Sequence, residues 1–96
     1  MSELSEIVAL RVVVSGDVQG VGYRQACRFQ ARSHNLSGWV RNRFDGKVEA
    51  FLQGGPDEVD QMLDWMWIGP PMAAVREVIS DPVDVDRNLT DFFIAR

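Results

Sequence analysis

The sequence predicts an α+β fold, a split βαβ order of β-α-β-β-α-β plus a short C-terminal strand, with two helices on one face of an antiparallel sheet. Three observations predict it. Apolar residues at helical spacing occupy Tyr23–His34 and Val59–Met66, and stretches of period two lie between and around them. Asp45-Gly46 separates two such strands as a hairpin turn. Glycine- and proline-rich segments at 16–22, 54–56 and 69–71 punctuate the chain between elements.

Each element follows from its own residues. Val8–Ser15 is β-branched and reads as a strand, with Leu10, Val12 and Val14 on one face and Arg11, Val13 and Ser15 on the other. Gly16–Gly22 holds three glycines in seven residues and reads as a loop. Tyr23, Ala26, Cys27 and Ala31 then fall at i, i+3, i+4 and i+8, one face of a helix. Asn35 suits a left-handed cap, with Leu36 folding back. Gly38–Asn42 is the second strand. Lys47–Gln53 alternates, with Val48, Ala50 and Leu52 inward and Lys47, Glu49 and Phe51 outward. Pro56 fits the first position of a second helix, and Asp57 and Glu58 fit its positive end. Val59, Met62, Leu63 and Met66 form its apolar face, and Gly69-Pro70-Pro71 stops it. Val75–Ile79 and Phe92–Ala95 complete the strands. Right-handed crossovers place both helices on the same face, the ferredoxin-like arrangement.

Ninety-six residues make one domain, 1–96, with residues 1–7 expected as a loose N-terminal extension. A composition of 46% hydrophobic and 25% charged residues excludes a disordered chain. No apolar run exceeds four residues, which excludes a membrane-spanning helix. With Glu3, Glu6 and Arg11 interrupting it, the N-terminal stretch is not expected to be a signal peptide. The single cysteine, Cys27, excludes an internal disulfide and cysteine-rich metal centres, so a cytoplasmic location is expected. A net charge of −4 argues against a general nucleic-acid binder. The halves differ, however: residues 1–50 carry seven basic and five acidic side chains, and residues 51–96 carry three and nine. A positive N-terminal half in an acidic protein suggests a local anion site, against which stands chance variation of surface charge.

The chemistry points to Gly16-Asp17-Val18-Gln19-Gly20-Val21-Gly22. A loop from strand to helix can turn successive backbone N–H groups toward one point beside the positive helix end, where phosphate binds. Arg24 follows in the first helical turn, and its planar guanidinium offers a paired grip on two phosphate oxygens. The plainer reading is a tight strand–helix turn with a solvated arginine. No GK[ST] follows, which disfavours a nucleotide-triphosphatase loop. Asn42 ends a strand before the hairpin; its amide can hold a water in a fixed orientation or serve the turn alone.

Together these segments resemble the acylphosphatase family. Gly16 through Arg24 reads as its G-x-V-Q-G-V-x-[FY]-R signature, and Gly38 through Glu49 as G-W-V-x-N-x-x-D-G-x-V-E. Gly69-Pro70-Pro71 and the closing Phe93-Ile94 are also similar, so the resemblance spans roughly residues 8–96. It implies hydrolysis of carboxyl phosphates to carboxylate and inorganic phosphate. It assigns phosphate binding to the loop amides of Gly16, Asp17, Val18, Gln19, Gly20, Val21 and Gly22 and to Arg24, and water positioning to Asn42. It implies no metal and no cofactor. Expected partners are small acyl phosphates, with inorganic phosphate or sulfate as site ligands, and neither nucleic acid nor a membrane.

Other residues carry less. His34 reads as a surface residue at a helix C-terminus, and Cys27 as inert core. Asp17 is expected to point to solvent, and Asp81, Asp84 and Asp86 to sit in a solvated loop. Trp67 and Ile68 either pack under the Gly-Pro-Pro turn or form an exposed patch for weak self-association of a monomer. Two further functions stand beside the enzyme. One is a non-catalytic acyl-phosphate-binding or accessory module. The other is an RNA-binding sheet, set aside because Val13 is the expected neighbour of Phe51 and Glu49 adds negative charge.

Overall fold

The computed structural model describes residues 6–96. The elements are β1 (Val8–Asp17), α1 (Tyr23–Ser33), β2 (Ser37–Asn42), β3 (Val48–Gly54), α2 (Pro56–Ile68), β4 (Ala74–Pro82) and β5 (Phe92–Ile94). The expected N-terminal extension falls on residues 1–5, outside the described residues, and on Glu6 and Ile7, which are exposed and precede β1.

The sheet runs β4-β1-β3-β2-β5. Its first four strands are antiparallel, as the split βαβ order requires. The fifth lies parallel to β2, so the full sheet is mixed. The chain leaves β4 at one edge and reaches β2 at the other, entering β5 in the direction of β2. Gln53 fastens the intervening segment: its Nε2 donates to the Asp86 carbonyl at 2.9 Å, and its Oε1 accepts from the Asp86 amide at 2.7 Å.

One face of the sheet and both helices enclose the core. Val12, Val14, Val40, Val48, Ala50 and Leu52 from the strands meet Tyr23, Cys27, Ala31, Val59, Met62 and Met66 from the helices, all buried. These are the inward positions that alternation and helical spacing select. At the end of α1, Asn35 takes φ 58° and the Leu36 amide donates to the Ala31 carbonyl at 2.9 Å, the expected left-handed cap.

Two local expectations change, and one left open is decided. β1 continues through Gly16 and Asp17, which pair with Val75 and Ala74 of β4 across a bulge at Ser15/Gly16. A Cβ on Gly16 would lie 2.2 Å from the Ala74 carbonyl oxygen, so the glycine serves a close strand approach. Under the Gly-Pro-Pro turn lies Tyr23, whose O–H donates to the Met66 carbonyl at 2.8 Å. Trp67 and Ile68 are accordingly outside, 52% and 71% exposed. On the open face, Phe51 pairs with Arg11 and Trp39, and Val13 pairs with Glu49. Phe51 and Val13 are therefore not cross-strand partners, because the β1–β3 register sets Arg11 opposite Phe51 and Val13 opposite Glu49.

Candidate active site

β1 hands the chain to α1 through Val18–Gly22. Val18 is buried and anchors the start of this loop in the core, while Gly20 is exposed. Gly20 and Gly22 have φ +74° and +81°, the left-handed region that L side chains rarely adopt. Among the described residues, no amide N–H from Val18 to Gly22 donates to a backbone carbonyl. Five consecutive donors thus have no backbone partner.

α1 begins with Gly22 as N-cap, without a side-chain cap, and has no acidic residue in its first turn. α2 differs, with Asp57 and Glu58 in its first turn. A helix N-terminus carries about half a positive charge. In α2 first-turn carboxylates offset it; in the first turn of α1 none does. Arg24 lies in that same first turn, partly buried. The other arginines of the N-terminal half with ion pairs are Arg11 and Arg41 on Glu49, Arg32 on Asp91 and Arg43 on Asp45. Arg24 has no such partner among the described residues. A shielded guanidinium, unpaired amides and a bare helix end make one concentrated positive region suited to an anion.

The side chain of Gln19 ties this loop to the β2–β3 hairpin. Its Nε2 donates to the Arg43 carbonyl at 2.8 Å and to the Lys47 carbonyl at 2.9 Å. Asn42 stands immediately before Arg43, at the end of β2. It pairs with the buried Val48 and alternates with the buried Val40, which places its side chain on the helix-covered face. Its Oδ1 is buried and has no hydrogen-bond partner among the described residues. Such an acceptor costs about 1–3 kcal/mol, so its retention calls for a functional reason. The hairpin itself is fixed by Asp45, whose Oδ1 accepts from the Lys47 amide at 3.1 Å. That bond, and then the Arg43 guanidinium, hold the Asp45 carboxyl below its ordinary range.

No side chain of α1 competes as a nucleophile. Burial pushes the Cys27 thiol up and keeps it protonated, and it does the same to the Tyr23 phenol. His34 lies at the far end of the helix, its Nδ1 2.8 Å from the Gln30 carbonyl.

The acylphosphatase family model matches residues 10–94. The chain belongs to the acylphosphatase family. An acylphosphatase of Bordetella avium is 46% identical over 86 residues, covering 90% of this chain and 92% of its own length. The structure of an acylphosphatase from Coxiella burnetii superposes with a TM-score of 0.89 at 37% identity, covering 93% of each chain. That of Bacillus subtilis acylphosphatase also gives 0.89, at 29% identity, covering 93% of this chain and 99% of its own. Membership makes the chain a hydrolase acting on acid anhydrides.

Val18–Gly22 and Arg24 adjoin in sequence and fold, and Gln19 ties the loop to Arg43, the residue that follows Asn42. Gly16 and Asp17 stand apart: their backbone runs in the β1–β4 ladder, and the exposed Asp17 side chain points to solvent. Sequence reasoning missed the Gln19 side chain, treating it only as a backbone ligand. Its signal was an amide, with two donors on one nitrogen, between glycine-flanked positions. It also missed the Glu49 bridge to Arg11 and Arg41, which counting register outward from Asp45-Gly46 would place opposite Arg41.

Proposed function

We propose that this acylphosphatase cleaves carboxyl phosphates by direct attack of water on phosphorus. The amides of Val18–Gly22 and the Arg24 guanidinium hold the phosphoryl oxygens. Asn42 Oδ1 accepts a hydrogen bond from the attacking water and so aims the water's lone pair at phosphorus. A P–O bond forms to the water oxygen, and the P–O bond to the acyl group breaks with its electron pair leaving on the carboxylate. The water proton passes to a phosphate oxygen. A carboxylate is a good leaving group, so no strong acid is required; positioning and charge stabilisation remain. Gly16 and Asp17 are set outside this ligand set because the ladder with β4 engages them.

The observation that carries this reading is the coincidence, among the described residues, of unpaired donors: the loop amides, the uncapped end of α1 and Arg24 without a carboxylate. Its test is phosphate release from benzoyl phosphate, with inorganic phosphate and sulfate as inhibitors. Turnover with competitive inhibition by both anions is expected, and turnover in excess chelator, since Arg24 and the amides supply the field a metal would. Noncompetitive inhibition would place the anion site elsewhere.

No helix among the described residues is long and apolar enough to cross a membrane. A cytoplasmic location is proposed on the unpaired, buried Cys27 thiol. We propose a monomer, with the exposed Trp67 and Ile68 as the patch for weak self-association at high concentration.

A further inference from the structure

The open face of the sheet, opposite the helices, carries a second set of chemical groups. Register aligns Arg11, Phe51, Trp39 and Phe93 in one row across β1, β3, β2 and β5. Trp39 and Phe51 stack with centroids 6.3 Å apart and planes at 20°. Phe93, next in the row, remains 43% exposed. Between it and Trp39 opens a cleft of about 440 Å³, lined also by Arg41, Glu49 and Ala95. A second depression of about 530 Å³ shares Arg41 and Glu49 with the first and adds Arg11, Asn42, Arg43, Phe44, Asp45 and Arg96. Each lies within the usual size of a small-molecule site, roughly 300–1,000 Å³.

The charges are arranged around one carboxylate. Glu49 is buried and bound by Arg11 Nε and by Arg41 Nε and Nη2. Each guanidinium keeps further N–H donors, and both are nearly half exposed. The second depression sets four guanidiniums against two carboxylates, an excess of positive charge beside an aromatic cleft. A planar ring suits the cleft and a phosphate suits the guanidiniums.

We propose that this face binds a nucleoside monophosphate, its base between Trp39 and Phe93 and its phosphate on Arg11 and Arg41. A single nucleotide fits better than a nucleic-acid strand. Glu77 and Asp81 stand on the same face of β4, opposite Ser15 and Arg11, and the whole chain carries −4. A longer polyanion would have to cross that acidic edge. The Asn42 side chain alternates to the helix-covered face, although the residue also borders the second depression; the base cleft, which neither Asn42 nor the phosphate loop lines, is what sets this site apart.

The test is calorimetric titration of the full chain with AMP, adenosine and ribose 5-phosphate. AMP is expected to bind, and each half-ligand at least about tenfold more weakly. Phe93→Ala, Trp39→Ala and Arg11→Gln should each weaken AMP by about tenfold or more and leave benzoyl phosphate hydrolysis unchanged. Arg24→Ala should leave AMP affinity unchanged. Phe93 lies on the edge strand, so its variant decides the matter if Trp39→Ala fails to fold. The proposal is overturned by no AMP binding at millimolar concentration, or by ribose 5-phosphate binding as well as AMP. Loss of AMP binding in Arg24→Ala but not in Phe93→Ala would assign it to the phosphate loop. Single-stranded oligoadenylate binding about a hundredfold more tightly than AMP would make nucleic acid the ligand.

Discussion

Gln19 and Arg43, 24 residues apart, are joined by a 2.8 Å hydrogen bond from the Gln19 amide nitrogen to the Arg43 carbonyl. The same nitrogen reaches the Lys47 carbonyl, so one side chain closes the loop onto both arms of the hairpin. This sets where the loop donors lie relative to Asn42. Gln19→Ala should lower kcat/KM about tenfold, the worth of two ordinary hydrogen bonds. Gln19→Glu should be worse, because it turns an oxygen toward two carbonyls. A double-mutant cycle separates positioning from mere stability: in an Asn42→Ala background, Gln19→Ala should cost little further kcat. Full additivity would show that Gln19 does not act through Asn42.

Arg24→Ala should lower turnover by about 10²–10³ or more and weaken inhibition by phosphate, while unfolding is little changed. Arg24 makes no ion pair within the described residues, so its removal strands no carboxylate. Lysine should rescue poorly, as a point charge in place of a planar fork. Steady-state kinetics with urea unfolding checks both halves of this expectation.

Asn42→Ala should lower kcat strongly and leave the phosphate inhibition constant nearly unchanged, since the amide serves the water and not the phosphoryl group. The buried, unpartnered Oδ1 adds an expectation about stability. Removing an unsatisfied acceptor relieves its desolvation cost, so the variant should be no less stable than the wild type. A large drop in Tm would mean that Oδ1 has a structural partner.

The elements were legible because inward positions of period two and 3.6 coincide with the core from Val12 to Met66. The site was legible from Gly20, Gly22, Arg24 and Asn42, whose chemistry is local. What was not legible depends on register. Where β1 ends was set by the approach of β4 to Gly16, a contact between residues 16 and 74 that no local pattern encodes. The Trp39–Phe51 stack likewise follows from pairing across the hairpin. Trp67 and Ile68 were undecided because what fills the space under the turn after α2 is set by distant packing: Tyr23 of α1 lies there, against Trp65.

Glu49 should shape the acid limb of stability. Burial alone would raise its carboxyl, but the hydrogen bonds and charges of Arg41 and Arg11 outweigh burial and hold it below 4.5. A carboxyl depressed in the folded state stabilises above its unfolded value. That contribution is therefore complete above about pH 4.5 and is lost as pH falls through the folded value. Glu49→Gln should cost about 2 kcal/mol at pH 7 and progressively less below pH 4.5. Urea midpoints of both proteins at pH 7, 4 and 3 test this; a constant gap would refute it. Asp45 and Asp91 are also lowered, so the limb should flatten without vanishing.

Gly16 and Gly20 should fail in different ways, although both have positive φ. A Cβ on Gly16 meets the Ala74 carbonyl oxygen and the Arg76 amide nitrogen at 2.2 and 2.8 Å, both backbone atoms in a strand. Nothing there can yield without moving β4, so Gly16→Ala should chiefly destabilise the fold. Gly20 has φ +74° with nothing within 4 Å of an added Cβ. The Cβ of a substituted residue meets no atom, and the cost at that position is conformational, about 1–2 kcal/mol for a left-handed backbone. That cost can be avoided if the loop relaxes, but relaxation turns the Gly20 and Val21 amides away from their present directions. Gly20→Val should therefore fold and bind phosphate about tenfold more weakly, although no side-chain ligand has been removed. The measurement is the phosphate inhibition constant against benzoyl phosphate in the folded variant, beside the urea midpoint of each protein. An unchanged constant in Gly20→Val would show that the loop amides do not hold the anion, and an unimpaired midpoint in Gly16→Ala would show that β4 can give way.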